Sequence, residues 1–374
     1  TNFPYELDEF QKKAFEALEN ENSVLVTAPT SSGKTLVAEY AIGKALEETK
    51  RLYYTAPIKA LCNQKFRDFS NQFGEENVGL VTGDHSIRRD SKIIVMTTEV
   101  LRNMLYTTSG VPEDLYCVVL DEIHFLEDPY RGAVWEEIIL TLPRRVLLVA
   151  LSATVSNADE LTEWIRSVRG NIEQIRRSTR PVPLKGHFLA SEKRRNYQLT
   201  KIEILKNGKP NTKGQIFKNT HKGRDRRNYK RWTTPRRSEI VAELKKLEML
   251  PAIYFIFSRK GCDEARDSMI RYVGALNNKD EGKKARNYAE EKFQLLTVEE
   301  KSILRVDSLL EGLEKGFASH HAGMLPVFKQ TIEELFSLGL IKLVFATETL
   351  AVGVNLPAKS VVVEKLTKFN GEGH

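Results

Sequence analysis

The chain is poor in cysteine. It has three in 374 residues, Cys62, Cys117 and Cys262, far apart and with no CxxC pair. That argues against a disulfide framework or a cysteine-based zinc site and points to a reducing compartment. Long apolar runs are missing too. None approaches the ~20 residues a membrane-spanning helix requires, so no membrane partner is expected. The opening Thr1-Asn2-Phe3-Pro4 lacks the basic-then-apolar layout of a secretory signal. Acidic residues are scarce in one place. Between positions 193 and 237, sixteen Lys and Arg face only Glu203 and Asp225, a local charge of +14 in a chain of net +7. The remainder is therefore acidic, at −7, and the basicity belongs to one segment. That segment suits either a polyanion partner or a solvated linker, and charge alone does not choose between them.

What is present is enough chain for two domains, each with its own core. Short apolar runs at Ser23–Thr27, Arg51–Thr55, Ile93–Thr97, Cys117–Asp121 and Val146–Ser152 read as buried strands. Helical patterns such as Ile58–Phe73 and Asn157–Val168 lie between them. This alternation predicts an α/β fold with a mostly parallel sheet covered on both faces. Pro181-Val182-Pro183 interrupts the pattern, and residues 181–237 read as a basic, hairpin-like linker. A second α/β unit is expected over 238–374, with a helix at Ile240–Leu250 and strands at Ala252–Phe257, Ile341–Phe345 and Ser360–Val363.

Two motifs carry the chemistry. Ala28-Pro29-Thr30-Ser31-Ser32-Gly33-Lys34-Thr35 sits between an apolar strand and a helical pattern, Leu36–Leu46. This is the context of a phosphate-binding P-loop, with Ala28 where the standard pattern has Gly. Loop N–H groups can cradle phosphates, Lys34 can reach the β- and γ-phosphates, and Thr35 can ligate Mg²⁺. Asp121-Glu122-Ile123-His124 follows a second apolar run. There Asp121 can hold the water shell of Mg²⁺, and Glu122 can polarise an attacking water.

DEIH resembles the DExH box of superfamily-two helicases, and further segments follow in that family's order. Phe3-Pro4-Tyr5 through Gln11 resembles its adenine-recognition segment, with Gln11 on the base edge. Thr55-Ala56-Pro57-Ile58-Lys59, Thr82-Gly83-Asp84 and Thr97-Thr98-Glu99 resemble its strand-contacting motifs. The resemblance implies nucleic-acid contacts at Pro57, Lys59, Thr82, Gly83, Thr98 and Glu99. Ser152-Ala153-Thr154 resembles the motif that couples hydrolysis to movement, so Ser152, Thr154 and His124 are expected to couple. Ala346 through Ala358 resembles the second-domain motif, implying Thr347 at nucleic acid and Gly353 at nucleotide.

The wording of His320-His321-Ala322-Gly323-Met324-Leu325-Pro326 and of Lys368-Phe369-Asn370-Gly371-Glu372 narrows the resemblance. It points to the superkiller and exosome-associated branch of DExH RNA helicases, nearest its bacterial and plastid members. The resemblance implies two RecA-like domains, 1–180 and 238–374, with ATP and Mg²⁺ between them and the second domain truncated before an arginine-rich motif. It also implies 3′-to-5′ unwinding of RNA carrying a single-stranded tail, in a cytoplasmic or plastid-stromal setting, within an RNA-processing complex or at the ribosome. A repair-type DNA helicase and a nucleotide-gated RNA-binding scaffold are the alternatives. Cys62, Cys117, Trp135 and Trp164 read as core residues, and His320-His321 as a turn into the helix Val327–Leu338. The linker aromatics Tyr197, Phe217, Tyr229 and Trp232 could stack on bases or pin the hairpin, with Trp232 read as packing.

Overall fold

A computed structural model describes residues 6–83, 85–107, 110–128, 132–153, 157–192, 198–217, 232–350 and 356–365. The chain divides into two compact units, Thr1–Leu184 and Lys185–His374.

The first unit has eight strands among the described residues: β1 Ser23–Thr27, β2 Arg51–Ala56, β3 Val78–Val81, β4 Ser86–Ile87, β5 Ile93–Thr97, β6 Leu115–Leu120, β7 Leu147–Ser152 and β8 Ile172–Arg176. They form one sheet in the order β4-β3-β5-β2-β6-β7-β1-β8. Every pairing is parallel except β3 with β4. The helices are α1 Glu9–Glu19, α2 Thr35–Glu47, α3 Lys59–Phe73, α4 Thr98–Leu105, α5 Gly132–Thr141 and α6 Ala158–Arg169. Successive strand residues point to opposite faces, so one strand feeds two cores. Val24 and Val26 of β1 join Cys117 and Val119 of β6 beneath α1, α2 and α3. Leu25, Val118 and Leu120 face the other way, against Trp135 and Ile138 of α5 and Ile165 of α6. Both faces are covered, which is why these strands read as unbroken apolar runs.

The second unit begins with β9 His187–Glu192, β10 Gln198–Glu203, the short pair β11 Leu205–Lys206 and β12 Lys209–Pro210, and β13 Trp232–Thr233. Strand β9 pairs antiparallel with β10 and β13, so Trp232 pairs in a sheet with Glu192. The described part of the basic segment thus lies in this unit as a small antiparallel sheet. Four parallel strands follow in the order β15-β16-β14-β17: β14 Ala252–Phe255, β15 Phe317–His320, β16 Leu343–Ala346 and β17 Ser360–Val363. Around them lie α7 Arg237–Lys246, α8 Arg259–Tyr272, α9 Lys279–Lys292, α10 Val298–Ile303, α11 Val306–Lys315 and α12 Pro326–Ser337. Again alternate residues feed two cores: Ile253 and Val344 on one side, Tyr254 and Phe345 on the other. Pro326 starts α12, where its missing N–H costs nothing. Among the described residues no helix is long and apolar enough to cross a membrane.

Two sequence expectations change. His320 does not lie in a turn: it closes β15, and only His321 onward turns toward α12. The helix expected at Ile240–Leu250 starts three residues earlier and ends at Lys246, with the left-handed Glu248 beyond it.

Candidate functional site

A parallel sheet gathers the carboxyl ends of its strands on one rim, where α/β folds bind ligands. On the first unit's rim the adjacent strands β6, β7 and β1 lead into Asp121, Ala153 and the loop Ala28–Lys34. The adjacent strands β3, β5 and β2 lead into Thr82, Thr98 and Pro57. The sequence-predicted residues therefore sort into two neighbouring halves of one rim.

In the first half, the loop after β1 is fixed to its neighbours by named bonds. Ala28 N–H donates to Ser152 O at 3.2 Å. Lys34 Nζ folds back onto Ala28 O at 3.0 Å. Gln11 bridges two segments: its Oε1 accepts from Asp8 N–H at 2.9 Å, and its Nε2 donates to Gly33 O at 3.2 Å. Gly33 has φ +84°, and a Cβ there would stand 2.8 Å from Gln11 Nε2, so both backbone and space require glycine. Ser31 is left-handed at φ +65°, while Pro29 and Ser32 are buried and Thr30 is exposed. Thr35 opens α2.

The acids sit at the end of β6. Asp121 is buried, and its N–H donates to Thr55 O at 3.0 Å. Its Oδ1 accepts from Glu122 N–H at 2.9 Å, and its Oδ2 accepts from the Tyr54 hydroxyl. Glu122 has φ +54°, a strained setting for a long side chain. Burial, then the neighbouring Asp121 charge, pushes its carboxyl above the usual range, against the pull of Lys34. Burial pushes the Lys34 ammonium down, opposed by Glu122 and Asp121. His124 is also pushed down by burial and then by Lys34. Its Nδ1 lies 3.2 Å from Glu122 Oε2 without hydrogen-bond geometry.

These residues fit a phosphate with a divalent cation. The Ser32 and Ser152 hydroxyls are buried with no hydrogen-bond partner. Among the described residues no three His, Cys, Asp or Glu form a cation cage. Mg²⁺ does not need one, because it keeps several waters and binds through one or two carboxylates plus phosphates.

On the other half of the rim, Pro57 is buried and Lys59 is exposed at the start of α3. Thr82 is buried, and its Oγ1 accepts from His85 N–H at 3.2 Å. Gly83 is exposed with open space around it. Thr98 and Glu99 open α4, and the buried Thr98 hydroxyl has no hydrogen-bond partner. Thr347 belongs to the second unit, where its N–H donates to His320 O at 3.1 Å. Thr154 and Gly353 lie outside the described residues, as do Tyr197 and Tyr229.

The sequence reading missed several contacts. Tyr54 reads as one more apolar position of a strand, yet its hydroxyl meets Asp121. Arg177 stacks its guanidinium over Phe10, 5.4 Å from the ring centre, and pairs with Asp8, tying the start of α1 to the end of β8. A cavity of about 740 Å³ lies beside this clamp, lined by Asp8, Phe10, Glu173 and Arg177, and Lys34 and Asp121 take no part in it. In the second unit, His321 Nε2 meets Asp263 Oδ2 at 3.1 Å, while its Nδ1 accepts from Gly323 N–H at 3.2 Å. The Ser319 hydroxyl donates to Asp263 at 2.6 Å and accepts from Arg266 at 3.1 Å.

This rim has a phosphate-type loop beside a strand-end acid pair, and residues 8–161 match the DEAD/DEAH box helicase family. Its relatives include DExH-box RNA helicases and superkiller proteins. It is 43% identical over 385 residues to the probable helicase HelY of Mycobacterium tuberculosis, covering 99% of this chain and 42% of HelY. To the chloroplastic DExH-box ATP-dependent RNA helicase DExH15 of Arabidopsis thaliana it is 40% identical, over 99% of this chain and 34% of that protein. To the human superkiller complex protein 2 it is 39% identical, over 98% of this chain and 30% of the relative. The chain thus spans well under half the length of these relatives.

Proposed function

We propose that the protein is an ATP-dependent RNA helicase that moves 3′-to-5′ along a single-stranded tail. The observation that carries this reading is the divided rim: one half holds Lys34, Asp121 and Glu122, and the other, which begins at the adjacent strand β2, presents Pro57, Lys59, Thr82, Gly83, Thr98 and Glu99. Neighbouring strands lie ~4.8 Å apart, so a change at the phosphate side is felt within roughly 10 Å by the strand side. Motifs built from Thr, Gly, Pro and one Lys suit contacts to a sugar–phosphate chain, which position a protein without reading sequence. RNA is favoured over DNA because relatives across nearly the whole chain include a named RNA helicase and a superkiller complex protein. An RNA-processing complex in the cytoplasm, or in the plastid stroma of a plant or alga, accords with the same relatives.

When bound, ATP supplies the γ-phosphoryl group, and Mg²⁺ neutralises its charge. The chain's residues do the rest. Gln11 meets the base edge. The N–H groups of Ser31, Ser32 and Gly33 and the Lys34 ammonium bind phosphate oxygens. Opening the Lys34–Ala28 bond frees that ammonium for its ligand. Thr35 would ligate the cation, and Asp121 would hold its waters. Glu122, pushed up by burial and by Asp121, takes the proton of the attacking water, a role that a raised carboxyl suits. His124, Ser152 and Thr154 couple this chemistry to movement.

The test is the steady-state ATPase of the full-length protein at fixed low salt with single-stranded RNA, single-stranded DNA or neither. Stimulation mainly by RNA supports the proposal. Stimulation mainly by DNA transfers the protein to the repair-type reading, which the plain name of HelY leaves open. Nucleotide-dependent RNA binding with no turnover supports a scaffold.

A further inference from the structure

Tyr54 is fully buried on β2, next to β6, with its Cα opposite Val119. Its hydroxyl meets Asp121 at the rim. We propose that Tyr54 is a positioning residue whose hydroxyl holds the Asp121 carboxylate in the orientation that receives the waters of Mg²⁺. This rests on the reading of Asp121 given above.

The phenol is locked in place. Its ring packs edge-on against Phe69 with centroids 5.1 Å apart, inside a core that leaves no open side. A buried hydroxyl must find an acceptor, and Asp121 Oδ2 is the one it has.

The carboxylate is therefore fixed at both oxygens, Oδ2 by Tyr54 and Oδ1 by Glu122 N–H. Each oxygen keeps a second lone pair for a water. The alternative partner is the Lys34 ammonium, of opposite charge on the same half of the rim. A loosely held Asp121 would be drawn toward that ammonium and would take from Lys34 its readiness for phosphate. Two donors at the strand end oppose this. Tyr54 thereby keeps the acid and the ammonium apart in their separate tasks, before any ligand arrives.

Tyr54→Phe removes one oxygen and keeps the shape of the ring. The experiment is binding of a fluorescent ATP analogue to the full-length protein, titrated with MgCl₂ and repeated in EDTA, with thermal melting as a folding control. The expected result is a Mg²⁺ requirement raised about three- to tenfold, the net worth of a single ordinary hydrogen bond. Affinity in EDTA should stay within about twofold, which is small against that shift. A Mg²⁺ titration identical to wild type overturns the proposal. So does an equal loss of affinity with and without Mg²⁺, which marks a structural role only. Asp121→Asn, measured in parallel, separates the two readings. If it loses the Mg²⁺ response while Tyr54→Phe keeps it, only the Tyr54 proposal falls. If Asp121→Asn keeps the response, the reading of Asp121 falls, and the Tyr54 proposal falls with it.

Discussion

Both units place a carboxylate near the carboxyl end of a parallel strand, and the two are treated in opposite ways. In the second unit Asp263 accepts from His321 and Ser319, Ser319 accepts from Arg266, and the far side of His321 is taken by Gly323 N–H. That network is nearly closed on itself, with His320 Nδ1 its one neighbour buried without a partner. On the first unit's rim the Ser32, Ser152 and Thr98 hydroxyls and His124 Nδ1 are all buried without hydrogen-bond partners. Glu122 is strained and pushed up, and Lys34 rests on a backbone carbonyl. Buried polar groups are normally satisfied, so a cluster that is not marks a place built for something else to complete. Similar chemistry serves as a fastener in one unit and, on the function proposed above, as a ligand site in the other.

The sharpest break of this comparison is at the first unit's acid pair. Glu122→Gln should cut ATP hydrolysis by about 10²- to 10⁴-fold, the share of a positioned base. Nucleotide binding should survive, because no phosphate contact is removed. Near-normal turnover would take Glu122 out of that role. Lys34→Ala should act one step earlier and weaken nucleotide binding by about 10- to 100-fold, since a bond from a charged group is lost. Equilibrium titration with a fluorescent nucleotide checks it, and unchanged affinity would show that this loop is not the phosphate site.

In the second unit the same kind of change should reach stability and leave the ligand alone. Arg266 is buried and bonds Ser319 and Asp267 while lying 3.7 Å from Asp263. Arg266→Ala leaves those acids and the hydroxyl short of partners, at a cost of about 2–4 kcal/mol. Urea unfolding followed by far-UV circular dichroism measures it. Nucleotide affinity should be unaltered. A variant as stable as wild type, or one that binds nucleotide poorly while folded, would erase the distinction between the units.

How much of this could be read in the sequence follows from burial. Strands β1 and β5 stand residue for residue where their apolar runs place them, because a strand covered on both faces has nothing polar to blur it. Cys62, Cys117 and Trp135 are core, as expected, whereas Trp164 is only half-buried at the core's edge. Strand β8, Ile172-Glu173-Gln174-Ile175-Arg176, escaped notice because it is an edge strand with polar residues on its open side. Strand β15 escaped because Ser319 and His320 look like a loop, and their burial becomes affordable only once Asp263, Arg266 and Glu333 supply partners. The positions of the loop after β1 and of the acid pair after β6 were legible because the residues of each are contiguous. Tyr54 was not, since its link to Asp121 exists only after β2 and β6 lie side by side.

The smallest effect is one of pH, and it tests whether the second unit's carboxylate is a fastener at all. Burial pushes the Asp263 carboxyl up, but bonds from His321 and Ser319 and the charge of Arg266 outweigh it, so the group sits below its ordinary 3.8. A carboxyl depressed by folding adds stability above its unfolded value and loses it as pH falls through its folded value. Asp263→Asn should therefore be less stable than wild type at neutral pH, and the gap should narrow as pH drops below about 4. The side chain is 41% exposed, so solvent screening holds the neutral-pH difference to about 1 kcal/mol or less. Urea midpoints at pH 7, 5 and 3 would show it. A gap that stays constant across that range would mean Asp263 acts by shape alone, and its charge would no longer distinguish it from any other buried polar contact.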